Sequence, residues 1–443
     1  MSENPAPPKN RLRRSLRLSD SVAILVGITI GAGIYSTPQI IAAYGPSFPL
    51  VLMLWSVGGL FALTGGLIYA ELGTRLPRTG GEYVYIHRAF GPLAGFMFGW
   101  SQLLIIRTSA AAGLSIVVAN YLQYFLPLSQ WQHTAVALGV VFGLGFLNYT
   151  GVRPASVFQN ASTLLKVAGI LLLVSLALIL GGGSSARSAG EVTGLGLSHF
   201  PTVLMLIVFS YLGWDRVGYM AEEMIEPRRT LPAALVIGVG TVMLLYLSAI
   251  WFYYDSLGSG GVAASQIVAS DAAEVLLGPV GASLVSLLVI ISALGSINGT
   301  MMTSTRVYFA MAREGLFFGW LGHLHPRFRT PSRSIATYCG WTAVILLVRQ
   351  QFSTIVTGVV FAILIFYGLT TLALFRFRDR STGEQNCYRM PFYPCLPALY
   401  LIGITALLFL RLIFEFRESL HDLAFILSGL PLGLWWVWRR RSQ

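Results

Sequence analysis

A chain of 443 residues that is 55% hydrophobic and 11% charged excludes a soluble globular fold, because apolar runs of about 20 residues, long enough to cross a hydrocarbon core as helices, recur from end to end. Short alternating strands of a membrane barrel do not occur, so the sequence reads as an all-α polytopic membrane protein whose spans satisfy their own backbone hydrogen bonds. The formal net charge of +12 sits at the chain ends and between spans, which points to membrane topology and not to nucleic acid.

Polar and Pro/Gly clusters divide the chain into about twelve transmembrane (TM) spans, near 20–44, 50–74, 91–120, 132–149, 156–181, 200–223, 231–254, 278–305, 332–350, 353–375, 394–412 and 422–438. The basic tail RLRRSLR at 11–17 runs directly into the first span, which argues against a cleaved leader and suits contact with anionic membrane lipid. With the N-terminus inside, Arg75, Arg78, Arg88, Arg153, Arg228, Arg229, the arginines of 306–333 and 376–389, and Arg439 to Arg441 all fall on the cytoplasmic side. Only Arg187, Arg349, Arg411 and Arg417 fall outside. Both termini are therefore expected in the cytoplasm, in a multi-pass protein of the inner or plasma membrane. The loops at 182–199, 255–277 and 376–393 are too short to bury a core, so one membrane domain is expected. Cys339, Cys387 and Cys395 lack metal-ligand spacing, the six histidines are scattered, and neither a P-loop nor a nucleophile elbow occurs. Those absences argue against an enzyme, a cofactor and a metal.

The first span is interrupted by GITIGAGIYSTP (27–38), where Gly27, Gly31 and Gly33 cluster; each costs about 1 kcal/mol against alanine in a helix interior. Gly27-x-x-x-Gly31 alone would equally fit a packing face. The sixth span carries a second interruption, FSYLGWDRVGYMAEE (209–223), with Gly213, Asp215 and Arg216. Span one begins inside and span six outside, the arrangement of a 5+5 inverted repeat whose discontinuous first helices build a midplane site. The repeats cover 20–181 and 200–375, after a tail at 1–19 and before two last spans at 394–438. Freed amides at the start of one half-helix favour an anion, and freed carbonyls at the end of the other suit an ammonium. A zwitterionic α-amino acid is the matching ligand.

These stretches resemble the amino acid–polyamine–organocation transporters. GITIGAGIYSTP looks like the first-helix signature of that superfamily, and LPRTGGEYVYIHRAFGPLAGFMFGW (76–100) like its first cytoplasmic loop and third span. SYLGWDRVGYMAEEMIEPRRTLPAA (210–234) and NGTMMTSTRVYFAMAREGLFF (298–318) are similar to its sixth and eighth spans. IIRTSAAAGLSIVVANYL (105–122), GWD at 213–215 and YRMPFYPCLPALYL (388–401) most resemble the L-type, heteromeric light-chain branch. The resemblance implies a LeuT-like fold that works by alternating access. Eukaryotic members of that branch carry a cysteine between the third and fourth spans that joins a heavy chain. YLQYFLPLSQWQ (121–132) has none, so no covalent heavy chain is expected, and a free-standing bacterial carrier is the better fit.

Carried onto this sequence, the resemblance implies that Gly31, Ala32 and Gly33 offer amides to the substrate carboxylate, while Ile28 and Thr29 offer carbonyls to the amine. Ala32 stands where serine is frequent. Phe209, Ser210 and Leu212 match carbonyl donors from span six, and Phe209 also matches an outer aromatic gate. Trp214 and Asp215 would support the helix break, with Asp215 capping the inner half-helix. Leu212 stands where an acid would hold a cationic substrate, so neutral amino acids are expected. Lys166, in QNASTLLKVAGI (159–170), is an intramembrane cation and hence a functional candidate. By resemblance it fills the place that sodium takes in sodium-coupled relatives, and both a tether and a proton carrier remain open. Arg107 has no evident partner in sequence. Glu222, Glu223, Arg228 and Arg229 facing Arg75, Arg78 and Arg88 would form an inner gate or simply solvated loop charges. Asn298, Phe361 and Ile365 are placed loosely at the pocket. The expected function is sodium-independent exchange of neutral L-amino acids; proton-coupled uptake and an amino-acid-sensing receptor subunit are the alternatives.

Overall fold

Helix α1 (Leu18–Thr29) stops midway along the first span, and α2 (Gly33–Ser36) and α3 (Pro38–Ala43) complete it. This computed structural model describes residues 16–31, 33–76, 80–180, 194–313, 315–349, 351–380 and 387–441. Ile30 leaves the helical region at ψ 84°. Pro38 occupies the first turn of α3, where its missing N–H leaves no helical bond unmade. After α4 (Phe48–Arg75), the short helix α5 (Glu82–Phe90) forms in a stretch expected to be a loop. Gly81 precedes it at φ 48°, a left-handed conformation that favours glycine.

The third span is α6 (Pro92–Ser101) and α7 (Arg107–Leu122), joined by a π-helical turn at Gln102–Ile106. In α7 every residue from Arg107 to Ala119 is buried. Small residues at Ala110–Gly113 let neighbouring backbones come close, and a helix enclosed on all sides belongs at the centre of the bundle. Helices α8 (Gln130–Thr150) and α9 (Val152–Leu180) expose Phe146 and Leu164, as expected of a lipid-facing surface.

The sixth span is α10 (Phe200–Tyr211), an extended Leu212, Gly213 at φ 129°, and a 3₁₀ helix at Trp214–Glu223. Two long helices follow, α11 (Pro227–Ala264) and α12 (Val268–Arg313), each kinked at a glycine of positive φ, Gly258 and Gly278. The rest are α13 (Ser332–Val348), α14 (Phe352–Arg380), α15 (Cys395–Phe414), α16 (Phe416–Leu427) and α17 (Gly429–Arg441). Ten stretches are long and apolar enough to cross a membrane, and Phe200–Tyr211 and Ser332–Val348 are shorter apolar helices. Among the described residues the sole strand-like pairing is a bridge between Leu16 and Met224.

Two packing groups emerge. Helix α11 runs along α4 and α1, and α10 lies on α4. Helix α12 runs along α7 and α9, with α13 on α7 and α8. The two interrupted spans lie where these groups meet.

Candidate functional site

The two interruptions touch backbone to backbone. A Cβ built on Gly33 would fall 2.6 Å from the Cα of Ser210, and one on Gly213 would fall 3.0 Å from the Cα of Thr29. The hydroxyls of Thr37 and Ser210 are 3.0 Å apart. The hydroxyl of Tyr246, on α11, lies 2.9 Å from each of the carbonyls of Thr29 and Ser210, which the breaks release. The glycines of 27–38 therefore have separate causes. A Cβ on Gly27 would overlap Thr163 of α9, Gly33 admits α10, and Gly31 has its nearest neighbour, the Ser296 hydroxyl, at an unstrained 3.4 Å.

Between the breaks lies a small cavity. Its wall includes Ile28, Thr29, Gly31, Gly33, Phe209, Ser210 and Leu212, so seven of the residues singled out from sequence come together; Ala32 lies outside the described residues. Ile106, Ala110 and Leu114 of the third span, Ser296 and Thr300 of α12, Val359 of α14, and the side chains of Arg107 and Arg216 complete it. Phe209 meets Phe352 edge to face at 6.0 Å. Trp214 is not in the wall: it is buried behind the break against Tyr69 and Tyr367, at ring distances of 5.0 and 5.2 Å. The Gly31 amide donates to the Thr29 carbonyl at 2.7 Å, whereas the Gly33 amide opens α2 and has no acceptor within its own helix.

Three loosely placed residues fall elsewhere. The Asn298 amide donates to the Ala155 carbonyl at 2.9 Å and to Gln159 Oε1 at 3.1 Å, tying α12 to α9. Phe361 lies beneath the guanidinium of Arg411, 4.8 Å away, and Ile365 does not line the cavity. Ser296, Thr300 and Val359 take those helices' places. A helix apolar around its whole circumference, as α14 is, carries no phase in its sequence from which the facing residue could be picked.

Lys166 is fully buried, and its ammonium donates to the carbonyls of Gly27 (2.8 Å) and Ile30 (3.0 Å), the Ser296 hydroxyl (3.2 Å) and the Ser292 carbonyl (3.4 Å). It thus joins α9 to the unwound end of α1 and to α12.

Asp215 departs from its expected capping role. No side-chain cap closes the 3₁₀ helix, and Asp215 Oδ2 accepts from Arg107 Nη2 at 2.8 Å with both side chains buried. The π-helical turn accounts for this. It inserts an extra residue into the third span just before Arg107, whose Nε donates to Gln102 Oε1 at 2.6 Å, so the guanidinium is clamped from its own helix and aimed at span six. A charge-assisted bond satisfies a buried carboxylate more strongly than neutral amides do. Arg216 is also buried, and its Nη1 donates to the Thr300 hydroxyl at 2.6 Å. Its Nε has no acceptor, and no carboxylate among the described residues lies within 4.0 Å of it.

Next to this cluster, the Tyr219 hydroxyl lies 3.4 Å from both Arg107 Nη2 and Glu82 Oε2. Burial first, and the negative charge of Asp215 second, push the Glu82 carboxyl up to about 8. Sequence reasoning missed Glu82, Tyr219 and Tyr246 because each is brought to the site by an element other than the interrupted spans or by the 3₁₀ winding. Of the expected inner-gate charges, Arg78 and the side chains of Glu222 and Glu223 lie outside the described residues. Among the described residues Arg229 pairs with Glu226, at an exposed site. A buried ionic cluster forms instead at Glu71, which binds Arg75 at 2.8 Å, Arg378 at 2.5 Å and the Met390 amide at 2.9 Å.

Comparison with known proteins bears on all of this. A family model described as amino acid permease matches residues 16–421. The chain is 29% identical over 431 residues to the serine/threonine exchanger SteT of Bacillus subtilis (strain 168), covering 96% of this chain and 97% of that one. It is 30% identical over 450 residues to the human Asc-type amino acid transporter 1, covering 96% and 82%. It is 28% identical over 449 residues to the human cystine/glutamate transporter, covering 100% and 89%.

Proposed function

This chain belongs to the amino acid permease family, in the L-type branch of the amino acid–polyamine–organocation superfamily, and from that membership we propose a sodium-independent exchanger of α-amino acids working by alternating access. Its relatives are carriers and not enzymes, and amino acid transport is the activity they share.

The observation that carries the sodium-independent reading is Lys166. Its ammonium is held by carbonyls and a hydroxyl from α1 and α12, so a fixed protein charge occupies the junction between α9 and the unwound α1. In our reading the amides of Gly31–Gly33 take the substrate carboxylate, and the carbonyls of Ile28, Thr29, Phe209, Ser210 and Leu212 take its ammonium. Phe209 closes the outer side, with Trp214 and Asp215 holding the break. The ten long apolar stretches and the two shorter ones make twelve spans, arranged as two inverted repeats. The group of α1 to α4, α10 and α11 rocks against that of α7 to α9, α12 and α13, with both termini in the cytoplasm of the cell membrane and no covalent heavy chain. The expectation of neutral cargo rested on Leu212. The cavity keeps Leu212 in its wall and adds two arginines, so the reading widens from neutral side chains to all that are not cationic.

Proteoliposomes test this directly. Labelled amino acid should accumulate only in vesicles preloaded with unlabelled amino acid, equally in sodium and in choline. Uptake into empty vesicles that follows an imposed pH gradient would replace exchange with proton symport. Binding without flux would favour a sensor.

A further inference from the structure

The cavity's positive charges are not alike. Arg107 and Asp215 neutralise one another across the third and sixth spans. Arg216 lines the same cavity, only 6% exposed, and makes a single hydrogen bond, to a neutral hydroxyl, among the described residues. A guanidinium carries five N–H donors in a planar fork that matches a carboxylate, so most of its capacity is unused here. Its buried Nε has no acceptor among the described residues. Burying a cation without a counter-charge is unfavourable, and a buried charge left unpaired inside a ligand cavity points to a ligand that supplies the partner.

The other candidate partners are accounted for. Asp215 gives Oδ2 to Arg107 and Glu82 gives Oε2 to Tyr219; their other oxygens, Asp215 Oδ1 and Glu82 Oε1, are unbonded among the described residues, but neither lies within 4.0 Å of the Arg216 guanidinium nitrogens. The lining residues Leu212, Ile106, Leu114 and Val359 are apolar and offer no side-chain group to an ammonium.

We propose that Arg216 is the specificity-determining residue of the cavity and that the favoured cargo is an amino acid with a carboxylate side chain, bound through that carboxylate to the Arg216 guanidinium. This rests on the amino acid exchange reading: the backbone groups at the breaks hold the α-carboxylate and α-ammonium, and Arg216 reads what remains. Thr300, already bonded to Nη1, fixes the orientation of the fork, leaving Nε free on its other edge. A side-chain amide of the same shape presents one acceptor and a donor that faces donors, so acid and amide should be told apart sharply.

The test compares isosteres. Purified protein in liposomes, preloaded with L-glutamate, L-glutamine or L-serine, is assayed for uptake of each label, with thermal-shift titrations in detergent alongside. L-glutamate or L-aspartate should show at least about tenfold higher apparent affinity than L-glutamine or L-asparagine. Arg216→Gln should bring that ratio to one or below, and Arg216→Lys should restore part of it, since the charge returns without the fork. Wild-type protein that prefers the amide, or treats acid and amide alike, overturns the proposal while leaving the exchanger reading intact. The same holds if a folded Arg216→Gln protein keeps the wild-type ratio. If no amino acid of any class is carried or bound, the exchanger reading itself fails, and this proposal with it.

Discussion

Lys166 and Arg216 are both buried cations without a carboxylate within bonding distance among the described residues, yet their surroundings differ in kind. The Lys166 ammonium has at least as many oxygens around it as it has protons, all from the protein and all near the unwound end of α1. Arg216 has one hydroxyl and an open cavity. A buried charge whose donors are saturated by backbone holds helices together; one whose donors are left over is waiting for a partner. Charge and burial alone, which are all that sequence and hydropathy convey, do not separate the two.

The largest effect should come from a change that erases this difference. Arg107→Ala leaves Asp215 as an uncompensated buried carboxylate, a loss of about 3–5 kcal/mol of stability by the usual cost of breaking a buried pair. In whatever protein folds, Asp215 becomes free to recruit Arg216. Chemical denaturation should register the first effect, and a collapse of the glutamate-to-glutamine preference the second. Next, Lys166→Ala should slow exchange about a hundredfold, or about 2.7 kcal/mol, in proteoliposomes matched for folded protein. Wild-type exchange in that variant would make Lys166 a bystander.

Smaller again is the contrast among the glycines. Gly33→Ala forces α2 off Ser210 and should cost about 1–3 kcal/mol of stability, whereas Gly31→Ala, facing the cavity, should leave the melting temperature nearly unchanged and weaken substrate binding instead. Equal destabilisation by both would mean that the cavity is not where Gly31 points. The smallest effect concerns Glu82, the neutral neighbour of the paired cluster. Its carboxyl holds a proton up to about pH 8 when folded and releases it near 4.5 when unfolded. Between those values the native state binds more protons, so stability should fall as pH rises through that window and level off above it. Melting temperatures measured from pH 5 to 9 should slope accordingly, and Glu82→Gln should flatten the slope.

Much of the site was readable because its signals are local. Glycine at 31 and 33 and again at 213 marks where the two membrane helices are interrupted, and Gly31, Gly33 and Leu212 at these breaks line the cavity, whereas Gly27 stays helical and packs on Thr163. The Lys166 contact with the unwound backbone followed from resemblance to related carriers. What was misread depended on helical phase and winding. Asp215 pairs with Arg107 only because a π-helical turn re-aims the third span and a 3₁₀ helix follows Gly213. Asn298 and Phe361 face away from the cavity while Ser296, Thr300 and Val359 face it.

The sequence by itself determined the membrane-spanning helices, the positions of the breaks and the family, since each depends on composition or on motifs within a few residues. Only the tertiary structure decided which cation is satisfied and which is not. The acceptors around Lys166 come from 27, 30, 292 and 296, and the charge facing Arg107 from 108 residues away, so hydrogen-bond saturation is a property of assembled helices that no single segment carries.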